Sequence, residues 1–377
     1  MPEPDPQRQE LAVTYARLQR RLFFLGMALE GAAIIALWPG GLSLRLAQAL
    51  DLPYWAKAAA YLAVVMAGYG LLTLPLSYYG GLVLPRRFGL STQGLKGWLS
   101  DRGKAAAVGM PLVLGATLLV YRLLVSLHDI WWLASAASAI VLSLVLTYLA
   151  PLVIVPLFFK MKPLADAELS QRLTRLADKA RTRITGVYTL DLSRRGTAAN
   201  AALMGLGRTR RIVLGDTLLR SYTPDEIEVV MAHELGHHLG RHVIKLVAAQ
   251  GIILLAGFYL AHLALEAATV PGSGFQGMAD IAAFPVLALV LAGFMLLSGP
   301  LGNSYSRHLE AEADDRALAL TARPEAFASL MTKLTDQNLS EARPSRWVEA
   351  MFYSHPPYWK RVERGVRYSQ RWSGDRE

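Results

Sequence analysis

The sequence predicts a mainly α-helical, polytopic membrane protein, with a polar segment containing a small β-sheet between its spans, and three observations carry that prediction. First, 53% of the 377 residues are hydrophobic, only 18% are charged, and the mean hydropathy is +0.30, whereas a soluble domain carries about 25% charged residues. Second, the apolar excess is concentrated in six blocks of 17 to 30 residues, Leu22–Trp38, Ala58–Leu84, Ala105–Leu127, Ile130–Phe159, Leu246–Leu265 and Ile281–Leu301. About 20 apolar residues cross a bilayer as a helix. Third, lysine and arginine segregate to alternate connections between the blocks. Together these exclude an ordinary soluble enzyme, a disordered chain and an outer-membrane barrel, whose strands would alternate apolar and polar residues. Absence of cysteine removes disulfide frameworks, thiolate zinc fingers, cysteine nucleophiles and lipid anchors on the chain's own thiols.

Residues 1–21 read as a polar cytoplasmic tail and 22–159 as four transmembrane helices. The tail is longer than a signal-peptide n-region, so the first block is expected to be retained. Glu30 interrupts that block, and Arg122 lies near the end of the third; the other four contain no Asp, Glu, Lys or Arg. An ionisable residue inside a span faces protein interior or water, the expectation for Glu30. Orientation follows from the basic residues. Arg17, Arg20 and Arg21 precede the first block, Arg86, Arg87, Lys96, Arg102 and Lys104 lie between the second and third, and Lys160 and Lys162 follow the fourth. The opposite connections hold only Arg45 and Lys57. Both termini and segment 160–242 are therefore expected in the cytoplasm, with two further spans in 243–303 and a cytoplasmic segment over 304–377. The net charge of +10 becomes a positive-inside signature with attraction to anionic lipid, and no nucleic-acid motif accompanies it. Only 9 of the 39 basic residues are lysine, a bias of GC-rich genomes. A bacterial inner membrane is thus the expected compartment, with the endoplasmic reticulum membrane as the alternative.

Within the first cytoplasmic segment, patterning gives a helix over Asp166–Thr182, a strand over Gly186–Leu192, a loop over Ser193–Gly207 and a strand over Arg210–Leu214. A helix then begins at Thr223, an N-cap followed by Pro at the first helical position. That helix contains His233-Glu234-Leu235-Gly236-His237. Residues four apart share a helical face, so both imidazoles can reach one Zn²⁺, while Glu234 reaches a water beside the ion. Four of the eight histidines fall between 233 and 242; the competing reading is a histidine-rich helix titrating at the lipid surface. A catalytic zinc needs a third protein ligand. After the last block, Glu310 and Asp314 are four apart, which suits a ligand and a carboxylate orienting a ligand imidazole. His308 competes with Glu310 for the third position, and Glu312 and Asp315 read as a solvated acidic face.

At this point the chain resembles the Ste24-type integral-membrane zinc metallopeptidases, the type I CAAX prenyl proteases of the M48 group, from about Leu22 to Tyr368. Beyond the zinc motif, the resemblance rests on Pro156–Lys160 with Pro163-Leu164, on Ser193-Arg194-Arg195 through Asn200-Ala201 and Gly205, and on Arg211–Leu219. Asp336–Leu339 and Tyr353-Ser354-His355-Pro356-Pro357 complete it. It implies helices ringing an internal chamber, with a zinc-metallopeptidase domain on the cytoplasmic side. It further implies one Zn²⁺ per chain on His233, His237 and Glu310, Asp314 behind a ligand, and His355 and Arg361 beside the scissile carbonyl. Asn200 and Ala201 are implied on an edge strand that pairs with extended substrate. Two departures stand out: eukaryotic members carry one more N-terminal span, and Ala198-Ala199-Asn200 replaces a more polar run.

The expected function is a zinc metalloendopeptidase acting on hydrophobic or prenylated CAAX-type C-terminal peptides, with Glu234 as general base. Its partners are a peptide or lipidated-peptide substrate and the bilayer. The rival readings are a heat-shock-type quality-control metalloprotease and a non-catalytic zinc-binding scaffold.

Overall fold

The computed structural model describes residues 3–205 and 207–374, except for the side chains of residue 208 and of residues 372–374. Helix α1 (Pro6–Leu37) opens where Asp5 accepts hydrogen bonds from the N–H groups of Gln7 and Arg8 and Pro6 takes the first helical position. Residues 6–21, which patterning reads as a tail, are thus the first turns of the helix that carries the first apolar block. At Gly41, with φ of 71°, the chain turns by 59° into α2 (Leu42–Ala49). Then come α3 (Tyr54–Arg87), α4 (Leu95–Ser126) and α5 (Trp131–Phe158). Both α3 and α5 contain a widened π-turn, Tyr79–Val83 and Ala150–Ile154, next to prolines that cannot donate to the helical ladder.

After α5 the chain leaves the apolar region and forms β1 (Met161–Pro163), α6 (Ala167–Lys179), β2 (Val187–Leu190), β3 (Ala201–Met204), β4 (Arg211–Gly215) and α7 (Asp216–Ser221). Next are α8 (Pro224–Leu239) and α9 (His242–Ala268). Helix α10 (Phe284–Thr321) follows, then α11 (Pro324–Gln337), α12 (Arg346–Phe352) and α13 (Tyr358–Gly374). The sheet has order β1-β2-β4-β3, with β2 and β4 parallel and both outer pairs antiparallel. Patterning misses β1 and reads β3 as loop.

Helices α3, α4, α5, α9 and the α10 rod are each long and apolar enough to cross a bilayer, and the bent α1–α2 pair makes a sixth candidate. Their contacts run α1–α3–α4–α5–α9–α10 and back to α1, which closes a ring. One end of the ring is packed solid: Tyr61, Tyr121 and Trp131 are fully buried with α2 and the 275–287 segment. There Ser43 donates to the Ala282 carbonyl at 2.6 Å and accepts from the Tyr61 hydroxyl at 2.6 Å. A second core lies at the other end, between α6, the sheet, α8, the end of α10 and α11. Between the two cores packing is uneven: α9 lies close against Ile140 of α5 and Phe294 of α10 at Gly251 and Gly257, whereas none of the most apolar stretch of α5 is buried against protein. Apolar side chains over that length can face only lipid or the ring's interior, the architecture of a chamber closed at both ends.

Candidate active site

Thr223 starts α8 with a capping box, its hydroxyl accepting from the Glu226 N–H while the Glu226 carboxylate accepts from the Thr223 N–H. The helix lies against α10 so closely at Gly236 that a Cβ there would sit 3.0 Å from the Ala313 carbonyl oxygen and 3.2 Å from its Cα. Only hydrogen fits without displacing backbone. This approach brings His233 and His237, on either side of Gly236, up to Glu310, one turn before Ala313.

The three side chains converge. His233 Nε2 and His237 Nε2 are 3.1 Å apart, and Glu310 stands 3.2 Å from the first and 3.3 Å from the second. Glu310 Oε2 is buried and accepts no hydrogen bond among the described residues, although an imidazole nitrogen lies within range. His233 turns Nδ1 to Asp314 at 2.9 Å, and His237 turns Nδ1 to His242 at 2.9 Å; with one proton on each Nδ1, both Nε2 atoms would present lone pairs to one point. Facing lone pairs beside an unpaired carboxylate repel unless a cation lies between them. Separations of 3.1–3.3 Å approach the roughly 3.3 Å between vertices of a tetrahedral ion bound at about 2.0–2.1 Å. The donor set therefore fits a divalent metal, and two imidazoles with one carboxylate suit zinc. His308, the rival for the third position, faces away and pairs with Glu312 at 3.3 Å.

Asp314 has no exposed surface, and Arg361 grips it with two hydrogen bonds, Nε at 2.9 Å and Nη2 at 2.5 Å. Burial alone would lower the His233 pKa, but the Asp314 and Glu310 carboxylates beside its ring outweigh it and hold it up at about 9. Burial pushes the Glu234 carboxyl up from the ordinary glutamate range, against the pull of His233 and His237. Glu234 accepts no hydrogen bond among the described residues and faces a cavity of about 960 Å³, also lined by Asn200, Ala201, His355 and Arg361.

The geometry separates the two residues that the resemblance sets beside the scissile carbonyl. His355, its side chain 62% exposed, lies on the ligand side with Nε2 3.3 Å from Glu310 Oε1. Arg361 is turned to the opposite side of His233, with Nη2 3.5 Å from Nδ1, and only Nη1 lacks a hydrogen bond among the described residues. Asn200 precedes β3, its carbonyl accepting from the Gly215 N–H at 2.8 Å, and Ala201 begins the strand. Because β3 pairs only with β4, its other edge is unpaired among the described residues, and its first residue, Ala201, lines the cavity together with Ala198, Ala199 and Asn200. Patterning missed His242 and took Glu312 for solvated surface; the crowding of histidines between 233 and 242 was the available signal.

Comparison with known proteins bears on the whole chain. Residues 163–367 match the model for peptidase family M48, and residues 10–160 match that for the CAAX prenyl protease N-terminal region with five membrane helices. The metalloprotease YhfN of Bacillus subtilis is 29% identical over 364 residues, 95% of this chain and 85% of that one. A CAAX prenyl protease 1 homolog of Oryza sativa is 30% identical over 309 residues, 80% of this chain and 72% of that one. The crystal structure of S. mikatae Ste24p superposes with a TM-score of 0.83 at 22% identity, covering 96% of this chain and 89% of that one.

Proposed function

The chain belongs to peptidase family M48, a multi-pass membrane metallopeptidase, and on that premise we propose that it is a zinc endopeptidase whose cytoplasmic site cleaves hydrophobic or prenylated C-terminal peptides. The observation that carries this reading is the meeting of two imidazole nitrogens and an unpaired, buried carboxylate oxygen at one point beside Glu234. His233, His237 and Glu310 would hold the ion. When bound, zinc supplies a Lewis acid that polarises the carbonyl and acidifies water.

The chain's own groups supply the rest. The unpaired edge of β3 holds the peptide extended by main-chain hydrogen bonds. Glu234, less acidic than an ordinary glutamate, takes a proton from the attacking water and returns it to the leaving amine. His355 donates to the oxygen where negative charge develops. Arg361 and Asp314 fix the ring of His233, and Arg361 Nη1 remains to face the substrate.

Several features support a hydrophobic substrate at the inner face of a membrane. Phe23 and Phe24 of α1 pack edge-on against Phe352 within 5.3 and 6.2 Å, and Phe23 and Phe352 line the cavity. Basic connections cluster at the end of the ring that carries the site: Lys104 donates to the Leu157 carbonyl, and Arg195 grips Asp101. The positive-inside bias makes that end cytoplasmic, in a bacterial inner membrane. Glu234→Gln tests the proposal. Zinc content should match the parent while cleavage of a quenched hydrophobic peptide falls about 10²–10⁴-fold; a metal-replete variant that still cleaves refutes it.

A further inference from the structure

A further histidine, His242, stands behind the candidate metal ligand His237, and the arrangement of donors around it leaves little freedom. Helix α8 ends at Gly240, and Arg241, in the left-handed region with φ of 51°, reverses the chain into α9. That turn folds His242 back onto His237, their rings nearly perpendicular at 84°. Gly240 makes the room: a Cβ there would lie 2.1 Å from His242 Nε2 and 1.9 Å from Arg316 Nη1. His242 is 1% exposed, so its polar atoms depend on protein partners. Its Nδ1 meets His237 Nδ1 at 2.9 Å, and its Nε2 meets Glu312 Oε2 at 3.2 Å.

The direction of these hydrogen bonds follows from counting protons, given the metal-site reading on which the inference rests. If His237 offers the Nε2 lone pair to a metal, its one proton sits on Nδ1. That proton has His242 Nδ1 as acceptor, so His242 must carry its own proton on Nε2, where Glu312 accepts it. A competitor is present: Arg316 Nη1, which donates to the Gly236 carbonyl at 2.9 Å, also stands 3.3 Å from His242 Nε2. As a donor it favours the opposite tautomer of His242, with the proton on Nδ1 pointing at His237. That would force the His237 proton onto Nε2, into the position of the metal. We propose that Glu312, acting through His242, is the positioning pair that fixes the metal-competent tautomer of His237, as Asp314 does directly for His233. The acidic residue two places after Glu310 is then part of the site rather than solvated surface, held in place by Lys245 at 3.2 Å and His308 at 3.3 Å.

Replacing partners behind a metal-bound histidine costs about 10–100-fold in metal affinity. The test is chelator competition for Zn²⁺ on the full-length detergent-solubilised protein, together with the visible spectrum of the Co²⁺-substituted form. Glu312→Leu and His242→Phe, which remove the acceptors, should bind Zn²⁺ about 10–100-fold more weakly and change the intensity of the cobalt bands. Glu312→Gln and His242→Asn, which keep an acceptor oxygen, should stay within about threefold of the parent, well inside that range. Circular dichroism and melting temperature in each variant report whether the fold is kept. Parental zinc affinity and cobalt spectrum in Glu312→Leu and His242→Phe overturn the proposal, as does equal loss in the acceptor-retaining variants. His237→Ala separates the premise: if it keeps zinc, the metal-site reading fails rather than the positioning role.

Discussion

Replacing Gly236 with alanine sets two known effects against each other, and the structure says which wins where. Inside an exposed helix the change would stabilise by about 1 kcal/mol, because alanine is the better helix former. Here the added methyl meets the Ala313 carbonyl oxygen at 3.0 Å, the Ala313 Cα at 3.2 Å and the Arg316 Cβ at 3.3 Å. The first two are backbone of α10 and cannot rotate aside. Overpacking of this kind costs about 1–3 kcal/mol, so the net loss of stability is about 0–2 kcal/mol, a shift of a few degrees in melting temperature. The site should suffer more. Relief of the contact requires α8 and α10 to separate by a few tenths of an ångström, and metal–ligand distances tolerate only about ±0.2 Å. His233 and His237 ride on one helix and Glu310 on the other, so zinc affinity should fall roughly tenfold or more, about 1.4 kcal/mol. The assay is zinc competition against a chromogenic chelator, with thermal melting of the same preparation as the stability control. A Gly236→Ala protein that binds zinc as tightly as the parent would refute the claim that this close approach builds the site.

Two further outcomes follow from the same geometry. The His233 ring is held at about pKa 9 and must be neutral to bind a metal, so zinc loading releases a proton. Affinity measured by competition should then rise by about tenfold per pH unit from pH 6.5 toward 8.5, and a flat profile would contradict the assigned ligand. Arg361 and Asp314 form a buried pair, the latter with no exposed surface. Arg361→Leu alone should destabilise, by at most about 3–5 kcal/mol, because it leaves the buried carboxylate with His233 as its one remaining partner among the described residues. Arg361→Leu with Asp314→Asn should recover part of that loss, as read from resistance to denaturant in detergent; additive losses would show that the pair is not coupled.

Much of this molecule is legible in its sequence because a bilayer enforces a strong rule. Runs without charge such as Ile130–Phe159 have few alternatives to a membrane helix, and the helical spacing of His233 and His237 is equally restrictive. The parts that were not legible depend on tertiary contact. Ala201–Met204 has the composition of a helix or loop and becomes a strand only because β4 offers its edge in register with Ala201 opposite Leu214. Residues 6–21 are polar enough to read as a tail, yet they continue α1 because Arg8 reaches the Asp336 carbonyl at 2.8 Å and Arg20 pairs with Glu341 at 2.9 Å. Spacing alone left Glu310 and His308 in competition; the distinction is which face of α10 Gly236 can approach. Glu312 illustrates the limit most clearly, since nothing local distinguishes a solvated carboxylate from one that stands 3.2 Å from the Nε2 of a buried histidine, His242.

The central claim is that His233, His237 and Glu310 together hold one zinc ion. X-ray absorption at the zinc edge tests it on the purified protein, because it counts ligand types around the metal. The parent and His308→Ala should give the same shell, two imidazole nitrogens at about 2.0–2.1 Å with light oxygen scatterers, while Glu310→Ala should lose zinc or an oxygen from that shell. An unchanged zinc environment in Glu310→Ala, or an altered one in His308→Ala, would contradict it.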